Sequence, residues 1–312
     1  MRARAPASAA NLGPGFDVLA VALDLYVEVE VEPASRLVVR AEGEGADLEE
    51  DAMHLAARIA IDVAGHDGLA ITVRSDIPVA RGLGSSAALA VAAAAAAGSK
   101  DPLGVAARND GHPENAAASV VGGLVAATFV KGAVRAVRMS LDGGLVFVAL
   151  VPDRPLPTAK ARQALPQQVG RTDAIFNLGR MSLLLAGLAD RALLLREATE
   201  DRLHQDYRSP MFPEAPQLLG RLVSAGALAS CWSGAGPTLL GICDLADGER
   251  VRSAAEDAME EIGVAGRARL LRADLEGLIV ENVPYRADTG RAAAPPRTFG
   301  ALSDDASVFP PP

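Results

Sequence analysis

Cysteine is nearly missing from the 312-residue chain: only Cys231 and Cys243 occur, both among apolar neighbours. That excludes a disulfide scaffold and reads as two buried thiols of a protein kept reduced. Histidine is scarce too. Its four copies are scattered without paired spacing, so a zinc site is not expected. The longest apolar run, near residues 92–97, is too short and too alanine-rich to cross a bilayer. No apolar segment follows Arg2 and Arg4 to make a signal peptide. A basic surplus is also absent, and the net charge of −9 argues against nucleic-acid or membrane-surface partners. The expectation is a soluble cytoplasmic protein in which local arginines and helix ends hold any anionic ligand. Half of the residues are hydrophobic, enough for a large core and two domains.

What is present centres on Asp76-Ile77-Pro78-Val79-Ala80-Arg81-Gly82-Leu83-Gly84-Ser85-Ser86-Ala87-Ala88. An extended apolar run at 69–73 leads into it, and an alanine-rich segment follows. Gly82 and Gly84 permit positive φ and a close approach of backbone to a ligand. Ser85 and Ser86 are good N-cap types, and alanine has the highest helix propensity. Strand, glycine turn and helix N-terminus together make a candidate phosphate site. The lysine-bearing P-loop pattern and the dinucleotide glycine spacing are both absent, so plain structural punctuation competes with that reading.

The rest of the chain supplies further polar stretches. Asn11-Leu12-Gly13-Pro14-Gly15-Phe16-Asp17 is a glycine–proline turn ahead of the apolar run 18–25. Its Asn and Asp either bond their own backbone or clamp a substrate hydroxyl or amine. Residues 27–31 and 37–40 alternate as strands, and 51–64 has helical spacing with His54 on its surface. Asp101-Pro102 starts a short helix. Asp110-Gly111-His112-Pro113-Glu114-Asn115 is a polar cluster between apolar segments, equally open to a functional and to a bland role. Residues 129–141 and 145–151 read as strands joined by a hairpin turn at Asp142-Gly143-Gly144. The proline-rich 152–157 reads as the domain boundary. Helical patterns follow at 173–188 and 192–199, then a densely polar 201–208. A strand at 227–232, the glycine turn 233–238, a strand at 239–243, a helix at 249–262 and a strand at 268–271 finish the second domain. From residue 284 the composition reads as a disordered tail.

Together these stretches resemble the GHMP kinases and, within them, the homoserine kinases. The residues that carry the likeness are 11–17, 78–88, 111–115, 158–162, 176–180, 201–208 and 233–238, and it covers about residues 6–283. It implies an α/β protein of α+β two-layer type. A ribosomal-protein-S5 domain-2-like N-terminal domain, residues 1–152, would be followed by a ferredoxin-like C-terminal domain, residues 153–283. The implied reaction takes ATP, Mg²⁺ and L-homoserine to O-phospho-L-homoserine, a step toward threonine. Residues 78–88 would then cradle the ATP phosphates. Asn11, Asp17 and His112 would line the homoserine side, and Arg162 and Arg208 would fix its carboxylate, for which an arginine fork is suited. Asn115 and Thr158 would help place the hydroxyl and the γ-phosphate, and a homodimer is left open. Two positions depart from the pattern. Aligned without gaps, Arg108 stands where a Mg²⁺-holding glutamate is implied, so that Ser85 and Asp110 become the metal ligands. His54 stands near the implied adenine site in place of an Asn. The rival readings are a GHMP kinase for another small alcohol and a silent nucleotide-binding paralogue.

Overall fold

The computed structural model describes residues 1–47 and 51–286. In chain order it forms β1 (Arg2–Ala10), β2 (Leu19–Pro33), β3 (Val38–Gly43), α1 (Leu55–Ala64), β4 (Leu69–Ser75), α2 (Ser85–Ala96), α3 (Pro102–Asp110) and α4 (Glu114–Val121). There follow β5 (Leu124–Val130), β6 (Ala133–Arg138), β7 (Leu145–Pro152), α5 (Thr158–Gln163) and α6 (Arg171–Ala189). Last come α7 (Gln205–Arg208), α8 (Ala215–Ser224), β8 (Ala229–Trp232), β9 (Leu239–Asp244), α9 (Gly248–Ile262), β10 (Gly266–Leu271), β11 (Ile279–Val280) and β12 (Val283–Pro284).

The first sheet runs β12-β11-β1-β2-β4-β3, with β5 also on β2 and β6 on β5. β2 is its spine, because its alternation is regular: Val27, Val29 and Val31 are buried while Glu28, Glu30 and Glu32 point outward. α2 lies across β1 and β2 with α1, α3 and α4 around it. Nine of its residues, mostly alanines, are buried, and a helix apolar on every side belongs inside the core. Alanine side chains let these elements approach closely, so the start of α2 is held from several directions.

The second sheet is antiparallel in the order β10-β7-β9-β8. Numbered in chain order these strands run 4-1-3-2, with helices after the first and the third, which is the ferredoxin-like plait. β7 divides its residues by the pleat. Val146, Val148 and Leu150 pack under α8 and α9, while Phe147, Ala149 and Val151 join the core shared with the first sheet.

Several local expectations need correction. Asp142-Gly143-Gly144 is no hairpin, because β6 pairs with β5 and β7 lies in the other sheet. The hairpin is β5–β6, turned at Lys131 and Gly132, both at positive φ. The chain therefore passes between sheets at 139–144, ahead of the proline-rich segment. β11 and β12 then return to the first sheet beside β1, a strand that residues 2–10 gave no alternation to reveal. The helix expected at 51–64 starts at Leu55, and 192–199 holds two short 3₁₀ turns instead of a helix. The expected tail lies outside the described residues from 287 onward. Its first residues are held: Pro284 pairs with Ile279, and the Tyr285 hydroxyl donates to the Lys100 carbonyl. Among the described residues no helix is long and apolar enough to cross a membrane.

Candidate active site

Three glycine-rich loops meet at the start of α2. Gly84, at φ 68°, is its N-cap, so Ser85 and Ser86 are the first two helical residues rather than caps, and no side chain closes the helix end. The first N–H groups of α2 thus remain available to an anion. Leu83, Ala87 and Ala88 are buried beneath the loop, as is Pro78. Gly82 is pressed against the third loop: its carbonyl accepts from Ser233 Oγ at 2.7 Å, and Thr238 N–H donates to the Arg81 carbonyl at 3.2 Å. The Arg81 guanidinium is used on the carbonyls of Val79, Pro152 and Asp153, which ties the phosphate loop to the end of β7. Val79 is half-buried and Ala80 exposed at the lip, and the Ala80 carbonyl accepts from Leu156 N–H.

The cleft in front of this helix end encloses about 110 Å³. That is below the roughly 300 Å³ at which drug-sized ligand pockets begin, so the enclosed part suits a small substrate and the end of a phosphate chain. Asn11 is held at φ 71°. Its amide donates to the Gly234 carbonyl at 2.6 Å, and its oxygen accepts from Asp17 N–H at 3.0 Å. The Asp17 carboxylate is gripped by Arg162 at 2.6 and 3.0 Å. Arg208 is 1% exposed and donates through Nη1 to the Gly234 carbonyl at 2.9 Å, while its Nε has no partner among the described residues. Burial, with Arg162 nearby, pushes its pKa down to about 10.

A second group lines the opposite wall. His112 Nδ1 lies 3.2 Å from Glu114 Oε1; burial disfavours its charge, but Glu114 outweighs that and lifts its pKa. Glu114 is 1% exposed, and its Oε2 has no partner among the described residues. Asn115 accepts from Ser8 Oγ at 2.8 Å, and Thr158 opens α5 at the rim. Asp110 accepts from Ser86 Oγ at 3.2 Å, and burial raises its pKa.

The residues expected from the sequence include most of this cleft; Asp17 is joined to it through Arg162 without being among the lining residues, and three further positions differ. His54 is not a surface residue, and it is not among the residues lining the cleft. It is 5% exposed and caps α1, accepting from Ala56 N–H. Arg108 is 69% exposed in its side chain and faces Asp101 at 4.0 Å, lining a different depression. The serine that touches Asp110 is Ser86 rather than Ser85. Sequence reasoning also passed over Glu114, His204 and Phe16, although Glu114 sits in the quoted polar cluster and needed only burial to stand out.

Residues 50–123 match the family "GHMP kinases N terminal domain", and residues 182–261 match "GHMP kinases C terminal". The chain is 40% identical over 308 residues to a homoserine kinase of Streptomyces coelicolor, covering 93% of this chain and 97% of that protein. It is 39% identical over 295 residues to the homoserine kinase of Caldanaerobacter subterraneus, covering 89% and 95%. The chain belongs to the homoserine kinase family of the GHMP kinases. Among solved structures, a homoserine kinase from Cytophaga hutchinsonii superposes with a TM-score of 0.79 at 25% identity, over 89% of this chain and 96% of that one. The fold extends to a Leishmania major mevalonate kinase, with a TM-score of 0.64 at 15% identity over 92% and 97% of the chains.

A GHMP kinase cleft implies a divalent cation, and the donors here fit one. Ser86 Oγ and the Asp110 carboxylate are hard oxygens placed side by side at the helix end. Among the described residues no group of three or more His, Cys, Asp or Glu side chains could hold a metal. Mg²⁺ keeps waters and substrate phosphate oxygens and takes only one or two protein ligands, so the neighbouring Ser86 and Asp110 oxygens would be a sufficient protein contribution.

Proposed function

We propose that this chain transfers the γ-phosphoryl group of ATP to the side-chain hydroxyl of L-homoserine. The observation that carries the reading is one pair of buried, opposite charges. Glu114 Oε2 and Arg208 Nε are both unpartnered among the described residues, and both residues line the small cleft at the α2 N-terminus. A buried polar atom left without a partner is costly, so two such atoms on oppositely charged groups suit a ligand carrying the complementary charges. A zwitterionic amino acid does so: its carboxylate answers Arg208, with Arg162 adding field, and its ammonium answers Glu114.

The chemistry asks for alignment and charge neutralisation, since phosphoryl transfer proceeds through a loose transition state. The γ-phosphate sits against the N–H groups of Ser85, Ser86 and Ala87. Asp17, held by Asn11 and Arg162, accepts the hydrogen bond of the substrate hydroxyl and aims its lone pair at phosphorus. Asn115 and Thr158 stand beside that line. Ser86 and Asp110 would hold Mg²⁺, which would supply positive charge against the phosphates. Cys231 and Cys243 are buried free thiols, which supports a cytoplasmic setting. Arg108 faces solvent and Asp101, away from the helix end, and the Asp110 carboxylate beside Ser86 supports an active kinase over a silent paralogue.

The test is ADP release with ATP, Mg²⁺ and a panel of small alcohols. Homoserine is expected to give the highest kcat/KM. A mevalonate-like or sugar alcohol turned over faster, with homoserine inert, would overturn the reading.

A further inference from the structure

His204 contributes nothing to the cleft wall, yet it touches both sides of the substrate machinery. Its side chain is fully buried. Nδ1 lies 2.9 Å from Arg208 Nη1, and Nε2 lies 2.7 Å from the Gly13 carbonyl of the first loop. The ring stacks on Phe16, centroids 5.2 Å apart, and both Arg162 and Arg208 lie over that same ring. Its backbone is fixed as well, because Asp201 Oδ2 accepts the N–H groups of His204 and Gln205.

The chemistry of the two contacts sets the proton. A guanidinium has five donors and no acceptor, so Nδ1 must present its lone pair to Arg208. The proton then sits on Nε2 and is donated to the Gly13 carbonyl, which can only accept. This is the neutral Nε2–H tautomer, fixed from both ends. Arg208 Nη1 is thereby used twice, on His204 and on the Gly234 carbonyl. The orphan Nε, with Nη2 beside it, remains as the free edge, and that edge can offer two parallel N–H groups to a carboxylate.

We infer that His204 is a positioning residue for substrate binding: it locks the Arg208 guanidinium so that its Nε/Nη2 edge faces the substrate carboxylate, and it ties that arginine to the Asn11–Asp17 loop. The inference rests on the homoserine reading and adds a residue that never touches substrate. A group acting through Arg208 affects the amino-acid substrate and leaves the nucleotide alone.

The experiment compares wild type, His204→Phe and His204→Asn in steady-state kinetics, with melting temperatures to confirm folding. Phenylalanine keeps the stack on Phe16 and removes the acceptor. Asparagine places an oxygen near the Nδ1 position and restores it. His204→Phe is expected to raise the homoserine KM about tenfold or more, the loss of a hydrogen bond to a charged group, with the ATP KM within about twofold. His204→Asn is expected to stay within about threefold of wild type, as a restored charged hydrogen bond predicts. Equal rises in both KM values, or an asparagine variant as impaired as the phenylalanine one, would assign His204 to packing alone and overturn the inference. If His204→Phe does not fold, His204→Asn decides by itself, and a tenfold homoserine KM rise there sinks the idea. Wild type without homoserine-dependent ADP release refutes the substrate reading instead, and is read before either variant.

Discussion

Arg162 donates two parallel hydrogen bonds to the Asp17 carboxylate, across 145 positions of sequence. The family resemblance implies separate tasks for these residues, the arginine fixing the substrate carboxylate and the aspartate lining the homoserine side. Their pairing couples the tasks. Both side chains are about one-third exposed, so the pair contributes little to stability, and its use is in aiming Asp17.

Arg162→Ala should therefore lower kcat and raise the homoserine KM together, whereas Arg208→Ala should act chiefly on KM. A misaimed hydroxyl acceptor costs about 10²-fold in kcat. Arg162→Lys should not restore it, since an ammonium cannot make the fork. Steady-state kinetics decide the matter: an unchanged kcat in Arg162→Ala would remove the pair from the reaction.

The metal assignment separates two residues two positions apart. Asp110 touches Ser86 at the helix end, and Arg108 faces solvent and Asp101. Asp110→Asn and Ser86→Ala should each raise the Mg²⁺ concentration for half-maximal turnover, by about tenfold for a lost carboxylate ligand. Arg108→Ala should leave the Mg²⁺ titration unmoved. A shift in the Arg108 variant would mean that α3 presents a different face to the cleft.

These two cases show what was legible. The glycine turn, the helix behind it and the order of the polar stretches could be read because they depend on local propensity and short spacing. Asp110 could be named for the same reason. The Asp17–Arg162 pair could not, because nothing local links residue 17 to residue 162. The turn at 142–144 carries good hairpin residues, but whether strands pair is decided by the sheet they join, and there tertiary packing outweighed turn chemistry. Ser85 and Ser86 have cap propensity, yet the close approach of Ser8 and Asn115 leaves room only for glycine at the cap itself. Glu114 looked like one polar residue among several, and its burial is a property of α4 packed on β1, β2 and β5.

Gly82→Ala should damage the site from the backbone. Gly82 lies at φ 79°, and a Cβ there would run into the Ser233 carbonyl oxygen and the Gly236 backbone. Backbone cannot swing aside as a side chain can, so the phosphate loop and the third loop must part. Strain of about 1–3 kcal/mol is expected from the left-handed conformation alone. The urea midpoint should fall, and the KM values for ATP and homoserine should rise together. An alanine variant with wild-type ATP affinity would separate the phosphate loop from the 233–238 contact.

The buried His204 also makes an acid-sensitive element. Its pKa is pushed from the ordinary 6.5 down to about 4 by burial first. Asp201 opposes the shift, Arg208 adds to it, and the Gly13 carbonyl and Asp17 oppose it more weakly. In the unfolded chain the imidazole takes its proton below 6.5, whereas in the native fold it does so only near 4. Between those values the unfolded state binds the extra proton, so its stabilising contribution is whole above 6.5 and is lost as the pH falls. The loss amounts to roughly 3 kcal/mol at the bottom of the window, at 1.4 kcal/mol per pH unit. His112 works the other way, since its raised pKa gives stability that is present in acid and lost as the pH rises through it. Asp201, with a lowered pKa, adds acid loss only below the ordinary 3.8. Urea unfolding at about pH 7 and about pH 5 should show the native state weakening over the range in which the unfolded imidazole protonates. The drop should be smaller in His204→Phe, which has no proton to take up there. Equal drops in the two proteins would place the acid-sensitive group elsewhere in the fold.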